Sequence, residues 1–258
     1  MRLILTLILL TGWIFGQKLE VVIGDQIPKP DSVYVYLPQN KKPAKPLPML
    51  LLLHGWAGNY KQWGEITDVQ QYADKYNIII ATPDGFYDKW YANSQTDTKW
   101  KLKDFYLKTL LPELFLRYSV DTSKIGIAGL SMGGYGALSL AANDPELFVY
   151  AGSTSGILDI LPFKGKWNMN AAFGTSDAAY QVHSPIGMLK KFENTKTEIF
   201  IDCGVEDFAY AVNTDFYAKA KAMNLNITFT SMPGAHTWQY WKESLPLHIA
   251  RFVHIINN

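Results

Sequence analysis

A serine between two glycines, in the run Gly129-Leu130-Ser131-Met132-Gly133, is the feature of the sequence best suited to carry chemistry. The stretch before it, 124–128, is typical of a buried strand, and the stretch after it is typical of a helix. A G-x-S-x-G between a strand and a helix is typical of a nucleophile elbow, the sharp turn that exposes a reactive serine. Gly129 and Gly133 have a steric reason to be glycine there, because side chains would clash with neighbouring backbone. The alternative interpretation is a serine that caps a helix in a glycine-rich turn.

A serine hydroxyl needs a base to become a nucleophile, and His236 is the histidine best placed to act as one. It follows the predicted strand 226–231 in a Pro-Gly loop, from which its side chain can point across the strand ends at Ser131. His54 precedes the serine and is expected to shape a loop instead. The remaining histidines fit less well because they fall in an irregular segment or inside the predicted terminal helix; they are His183, His248 and His254.

The base needs a carboxylate that holds its ring in the right tautomer, and elbow enzymes carry the three groups in the order serine, acid, histidine. Asp207 is the predicted acid, because it lies in the loop directly after the predicted strand 197–203. Asp202, still inside that strand, is expected to be a hydrogen-bonding prop. Glu206 is expected to point away from its neighbour. These two carboxylates remain the alternatives for the acid.

Two backbone N–H groups must receive the negative charge that forms on the substrate oxygen. The N–H of Met132, directly after the serine, is the first predicted donor. The second is the N–H of Trp56, in the loop His54-Gly55-Trp56-Ala57-Gly58 that follows the apolar run 49–53. An ordinary glycine turn is the alternative interpretation of that loop.

The elements that must position these groups alternate along the chain. Apolar runs that suit buried strands alternate with stretches of helical periodicity, which predicts an α/β fold with a mostly parallel central sheet and helices on both faces. Two leading strands, 19–23 and 33–37, are expected to form an antiparallel hairpin. A helix over 99–118 should be disturbed at Pro112. The segment 156–189 is rich in loop-forming and aromatic residues, which indicates a small insertion over the site.

Length and charge limit the remaining functional classes. The chain has 258 residues, a formal net charge of +1 and a single cysteine, Cys203. Residues 17–258 are expected to form one domain, without a disulfide inside the chain. No cluster of Lys and Arg suits a phosphate backbone, so nucleic acid is not an expected partner.

The N-terminal residues are typical of a secretory signal peptide. Met1 and Arg2 give a positive start, 3–15 is an almost unbroken apolar run, and Gly16 is the expected residue before the cut. Residues 1–16 are therefore predicted to be removed, which makes the protein secreted or periplasmic, with no stable membrane insertion afterwards. An uncleaved anchor is the alternative, because Ile14 is larger than the small residue preferred there.

These motifs together resemble a known family. The run 127–137, with Leu52-Leu53-His54-Gly55 before it and the segments 202–207 and 233–238 after it, is similar to the esterase family that contains esterase D (S-formylglutathione hydrolase), tributyrin-type esterases, feruloyl esterases and the antigen 85 mycolyltransferases. The resemblance extends from about residue 33 to the C-terminus. It implies an α/β-hydrolase fold without a cofactor or metal. It also implies that Ser131, Asp207 and His236 carry the nucleophile, acid and base roles, with the N–H groups of Trp56 and Met132 as the oxyanion hole.

The predicted function is a secreted serine carboxylic ester hydrolase. Its expected substrates are small-molecule or carbohydrate-linked esters with a short acyl, acetyl or feruloyl group. Aromatic residues near the motifs could line a groove for the substrate, although half-buried packing is the usual role of such residues; they are Trp56, Trp90, Tyr91, Trp167 and Trp238. The alternatives are an acyltransferase of the same fold, a thioesterase resembling S-formylglutathione hydrolase, and a catalytically silent carbohydrate-binding protein.

Overall fold

The computed structural model describes residues 16–39 and 45–258. The predicted signal peptide, 1–16, lies outside the described residues except for Gly16. Among the helices of the described ranges, none combines the length and the apolar character that crossing a bilayer requires.

A single mixed sheet forms the centre of the described chain. Its eight strands are β1 (Gln17–Val22), β2 (Asp31–Tyr36), β3 (Leu47–Leu53), β4 (Ile79–Pro83), β5 (Val120–Leu130), β6 (Tyr150–Thr154), β7 (Glu198–Gly204) and β8 (Ile227–Met232). They lie in the order β1-β2-β4-β3-β5-β6-β7-β8. β2 pairs antiparallel with β1 and β4, which confirms the leading hairpin, and every other pair is parallel.

Helices cover both faces of the sheet, as predicted. They are α1 (Gln62–Ile66), α2 (Gln70–Tyr76), α3 (Leu102–Phe105), α4 (Leu111–Arg117), α5 (Met132–Asn143), α6 (Met169–Phe173), α7 (Asp177–His183), α8 (Pro185–Met188), α9 (Tyr210–Ala222) and α10 (Trp238–Asn257). Helices α1, α2 and α10 pack on one face, and the others pack on the opposite face. β3 contributes side chains to both faces of the sheet. Leu50 and Leu52 pack in the core under α1, α2 and α10, while Leu51 and Leu53 pack in the core under the other helices.

The predicted helix 99–118 is interrupted where Pro112 disturbs it. A π-helical turn, Tyr106–Leu110, separates α3 from α4, and the N–H of Leu111 donates to the carbonyl of Tyr106, five residues earlier. Proline has no N–H to give to the α-helical ladder, so the chain widens by one residue just before it. The expected disturbance is therefore a wider turn rather than a break.

The segment 156–189 is more regular than its composition suggests. It contains α6, α7 and α8 and a 3₁₀ turn, Leu161–Phe163. These helices have four to seven residues each, too short for an apolar stripe to stand out in the sequence. The segment contributes Ile157 and Trp167 to the cavity described below.

Candidate active site

Ser131 lies at the sharp turn between the end of β5 and the start of α5. Its φ of 53° and ψ of −116° lie outside the regions that non-glycine residues favour, a conformation that costs on the order of 1–3 kcal/mol. A Cβ on Gly129 would lie 2.4 Å from the carbonyl carbon of Gly133, and a Cβ on Gly133 would lie 2.3 Å from the carbonyl oxygen of Leu53. The expected steric need for both glycines is confirmed. The N–H of Ser131 donates to the carbonyl of Thr154 at 3.0 Å, which ties the turn to β6.

The structure brings Ser131, His236 and Asp207 into one hydrogen-bonded chain. Oγ of Ser131 lies 2.9 Å from Nε2 of His236. Nδ1 of His236 lies 3.0 and 2.9 Å from the two carboxylate oxygens of Asp207. An ionised carboxylate only accepts hydrogen bonds, so Nδ1 carries the proton and Nε2 is left to accept the hydroxyl proton of Ser131. This arrangement can deprotonate a serine as it attacks.

The side chain of Asp207 is fully buried, and its position is fixed by the loop that carries it. The N–H of Ala209 donates to Oδ1 of Asp207 at 2.8 Å, two residues along the chain. A buried carboxylate needs such donors in place of water. The acid is therefore held in place by its own loop as well as by the histidine.

The two alternative carboxylates bind elsewhere. Oδ1 of Asp202 accepts from Nε2 of His248 at 2.6 Å, deep in the protein. The carboxylate of Glu206 accepts from the backbone N–H of Gly234. Both observations agree with the sequence expectation that Asp202 is a prop and that Glu206 points away. Only Asp207 reaches the ring of His236.

His54 shapes the loop behind Ser131, as the sequence predicts. Its Nε2 accepts from the N–H of Gly85 at 2.6 Å, so the proton sits on Nδ1, which donates to the carbonyl of Gly55 at 2.7 Å. The N–H of Gly55 donates in turn to Oε1 of Gln62 at 2.8 Å. These contacts restrain the loop that carries Trp56.

Two backbone N–H groups close to Ser131 have no hydrogen-bond acceptor among the residues that the structure describes. Met132 is the first residue of α5, and the first N–H groups of a helix have no acceptor within the helix. The N–H of Trp56 donates to no backbone carbonyl in the part of the chain that the structure describes. Both amides are therefore free to receive a substrate oxygen.

A cavity of about 190 Å³ lies beside these groups. Ser131 and His236 lie in its wall, which is otherwise mostly aromatic; the rings belong to Trp56, Trp90, Trp167, Phe208, Trp238 and Trp241. An apolar cavity with a few convergent polar groups is the usual form of a small-molecule site. Four of the five aromatic residues that the sequence suggested as lining lie in this wall, namely Trp56, Trp90, Trp167 and Trp238.

The expectation that Tyr91 lines the groove is wrong. Its side chain is fully buried, and its hydroxyl donates to the carbonyl of His54 at 2.9 Å. Both Trp90 and Tyr91 have positive φ angles, 53° and 51°. This local backbone directs neighbouring side chains apart, so that Trp90 enters the cavity wall and Tyr91 packs behind the loop of Trp56.

A family model described as "Putative esterase" matches residues 25–252 of the chain. The chain belongs to this esterase family. An acetyl esterase of Caldicellulosiruptor saccharolyticus is 25% identical in an alignment of 239 residues, and the match covers 84% of this chain and 86% of the relative.

Solved structures share the fold. Fluorophosphonate-binding serine hydrolase F of Staphylococcus aureus has a TM-score of 0.80 at 22% identity, covering 92% of this chain and 99% of that one. A ferulic acid esterase has a TM-score of 0.79 at 24% identity, covering 94% and 100%. The fold is that of the α/β-hydrolases, and the esterase is a serine carboxylic ester hydrolase, as predicted.

Two rings that hold the histidine of this esterase were missed in the sequence. Phe208 lies against His236 with ring centroids 4.4 Å apart, and Trp241 meets the same ring edge-on at 5.0 Å. Together they restrict rotation of the imidazole. Each has a local signal that points to this place: Phe208 directly follows Asp207, and Trp241 lies one helical turn after Trp238.

Proposed function

We propose that this esterase cleaves its substrates through an acyl-enzyme formed on Ser131. The observation that carries the proposal is the contact of 2.9 Å between Oγ of Ser131 and Nε2 of His236, whose other nitrogen binds a buried carboxylate. A hydroxyl in that setting can lose its proton as it attacks, because the imidazolium that forms is stabilised by Asp207.

The first half of the reaction transfers the acyl group to the protein. Oγ of Ser131 bonds to the acyl carbon, its proton moves to Nε2 of His236, and the carbonyl electrons move onto the oxygen. The N–H groups of Trp56 and Met132 hydrogen-bond to this oxyanion. The bond to the alcohol oxygen then breaks, and His236 gives its proton to the departing alcohol.

The second half releases the acid. A water molecule loses a proton to His236 and bonds to the acyl carbon, the same two amides receive the oxyanion, and the bond to Oγ breaks as His236 returns the proton to it. No electron donor or further co-reactant is needed, since the sum is ester plus water giving acid plus alcohol.

The proposed substrates are short-chain acyl, acetyl or feruloyl esters, including esters linked to carbohydrate. The aromatic wall of the cavity supports this class, because rings offer broad apolar surface to acyl chains and to sugar faces. The acetyl esterase relative and the ferulic acid esterase of the same fold also support it.

We propose further that residues 1–16 are a signal peptide and that residues 17–258 work as one domain outside the cytoplasm. The charged start and the apolar run of 3–15 support export. N-terminal sequencing of the protein recovered from periplasm or medium tests this, and a mature start at Met1 would contradict it.

The experiment that tests the nucleophile combines labelling with turnover. A fluorophosphonate probe should label the wild type at Ser131, and Ser131→Ala should lose both the label and up to about a million-fold of kcat on p-nitrophenyl acetate, with its Tm retained. Ser153→Ala is the matched control, because this buried hydroxyl has no hydrogen-bond partner among the described residues. Equal hydrolysis by Ser131→Ala and the wild type would refute the assignment.

A further inference from the structure

The tryptophans around the cavity differ sharply in exposure. Trp90 and Trp241 are 1% and 6% exposed, whereas Trp56 and Trp238 are 39% and 49% exposed. The first pair therefore forms the floor of the cavity and the second pair its mouth. Trp167, which is partly buried, belongs to neither pair and comes from the segment 156–189.

Trp167 is held in place by its backbone and by its ring. Its φ of 49° is unusual for a large side chain, and such a conformation persists only where the surroundings impose it. The carbonyl of Trp167 accepts from the indole N–H of Trp90 at 3.0 Å. Its ring packs against Phe163 and Phe208, with centroids 5.5 and 5.6 Å away, and these two rings also contact each other at 5.7 Å.

The next residue adds a further restraint. Asn168 also has a positive φ, 59°, and its side-chain amide donates to the carboxylate of Asp88 at 2.8 Å. The turn that carries Trp167 is thus tied to the segment that carries Trp90. A wall fixed at these points cannot move aside without breaking several contacts.

The cavity is small for a feruloyl group but not for an acetyl group. Its volume is about 190 Å³. An apolar cavity of about 150 Å³ holds one benzene molecule. An acetyl group is much smaller than benzene and fits with room to spare. A feruloyl group adds a propenoyl chain and two oxygen substituents to such a ring, so it needs far more of this volume than an acetyl group does, beside a wall that Trp90 and Trp167 hold fixed.

We propose that Trp167 is the specificity-determining residue of this site: it closes the acyl side of the cavity, so that acetyl and other short acyl groups are accepted and feruloyl is excluded. The alcohol part of the ester then lies at the mouth, against the exposed rings of Trp56 and Trp238. The inference rests on ester cleavage at Ser131 and narrows the proposed substrates from short-chain acyl, acetyl or feruloyl esters to short-chain acyl and acetyl esters.

A series of p-nitrophenyl esters tests this proposal, because the leaving group is constant and only the acyl group varies. For the wild type, kcat/KM should fall from acetate through butyrate and hexanoate to ferulate, by at least about tenfold over the series. Trp167→Ala should raise the ratio of ferulate to acetate kcat/KM by at least about tenfold, since the missing indole opens the wall.

Trp100→Ala is the matched control. Trp100 is also a partly buried tryptophan packed on the same core, but it lies outside the wall of the cavity. This variant loses an indole of the same size and should keep the wild-type ratio. Trp167→Leu, a smaller change, takes the place of Trp167→Ala if the alanine variant does not fold.

The outcomes separate the two proposals. A wild type that prefers ferulate to acetate, or a folded Trp167 variant with an unchanged ratio, overturns the role of Trp167 while ester cleavage at Ser131 stands. If no Trp167 variant folds, the kcat/KM values of the wild type on the four esters decide. Equal kcat/KM values for all four acyl groups overturn the proposal. Absence of both hydrolysis and labelling in the wild type would instead remove the proposed function.

Discussion

Oδ1 of Asp202 lies 2.6 Å from Nε2 of His248, and this pair is buried beneath the surface that carries Ser131. Nδ1 of His248 accepts in turn from the hydroxyl of Tyr150 at 2.6 Å. The other carboxylate oxygen of Asp202 accepts from the hydroxyl of Thr154 at 3.1 Å. One strand–loop unit, β7 and the loop after it, therefore supplies the aspartates of two separate Asp–His pairs, five residues apart in the chain.

The two aspartates should differ strongly in their effect on turnover. Asp207→Asn removes the acceptor that holds the proton on Nδ1 of His236, and the wrong tautomer should lower kcat by about 10⁴. Asp202→Asn leaves the contacts of His236 intact, so its loss of kcat should be far smaller, although its Tm should fall. Hydrolysis of p-nitrophenyl acetate and thermal unfolding measure both effects. The reverse ranking of kcat would transfer the acid role to Asp202.

Asp31 should make the stability of the protein depend on pH. Burial raises the pKa of the Asp31 carboxyl well above its usual range, and the neighbouring Asp84 carboxylate adds to the rise. The unfolded chain loses this proton at a pH of about 3.9, while the folded chain still holds it. The free energy of unfolding should therefore fall as the pH rises between the two pKa values.

Asp31→Asn tests that expectation. The amide keeps an oxygen that can accept from the N–H of Asp84, a bond of 3.0 Å in the wild type, and it cannot ionise. Relative to the wild type, the Tm of the variant should rise as the pH increases from acid to neutral. A constant Tm difference across this range would show that the carboxyl of Asp31 does not titrate differently in the two states.

Tyr91→Phe separates a structural role from a substrate-binding role. Loss of the hydroxyl leaves the buried carbonyl of His54 without this donor, which should cost about 1–3 kcal/mol of the free energy of unfolding. KM for p-nitrophenyl acetate should stay near the wild-type value, because Tyr91 lies outside the cavity wall. Tyr87→Phe, at a half-exposed tyrosine, is the control for loss of a hydroxyl. A large rise in KM with unchanged stability would return Tyr91 to the substrate groove.

Gly129→Ala should damage the turn of Ser131. The added Cβ meets the backbone of Gly133 at 2.4 Å, so the strand or the helix must shift, at a cost of about 1–3 kcal/mol or more. Urea unfolding should show this loss, and fluorophosphonate labelling should slow in parallel. Gly64→Ala is the control, since its Cβ meets only the hydroxyl of the Tyr36 side chain. Equal labelling rates in Gly129→Ala and the wild type would refute the steric account.

The sequence predicts those parts of the molecule whose signals are local. The strand, turn and helix around Ser131 all lie within residues 120–143, and each has its own pattern of apolar residues or glycines. The loops that carry Asp207 and His236 are predictable for the same reason, because each directly follows an apolar strand.

Other features depend on contacts between distant residues. Asp202 and His248 are 46 residues apart and meet only because β7 and α10 pack together. The positive φ angles of Tyr91 and Trp167 have no signature in residue type, since glycine and asparagine are the residues that usually adopt them. The direction of Tyr91 and the fixed wall at Trp167 are therefore visible only in the folded chain.

Because of the sheet order, the loop 233–237 must carry His236 from the end of β8 across the sheet to Ser131. β8 stands three positions from β5, a lateral distance of about 14 Å at about 4.8 Å per strand, yet His236 at its end touches Ser131. The loop crosses that gap while bound to the loop after β7, since the N–H of Glu206 donates to the carbonyl of Gly234 at 3.1 Å. Folding and catalysis can consequently be separated in this protein. A nick or an inserted residue between Pro233 and Thr237 would displace His236 and abolish ester hydrolysis, while the sheet would stay folded and unfold cooperatively.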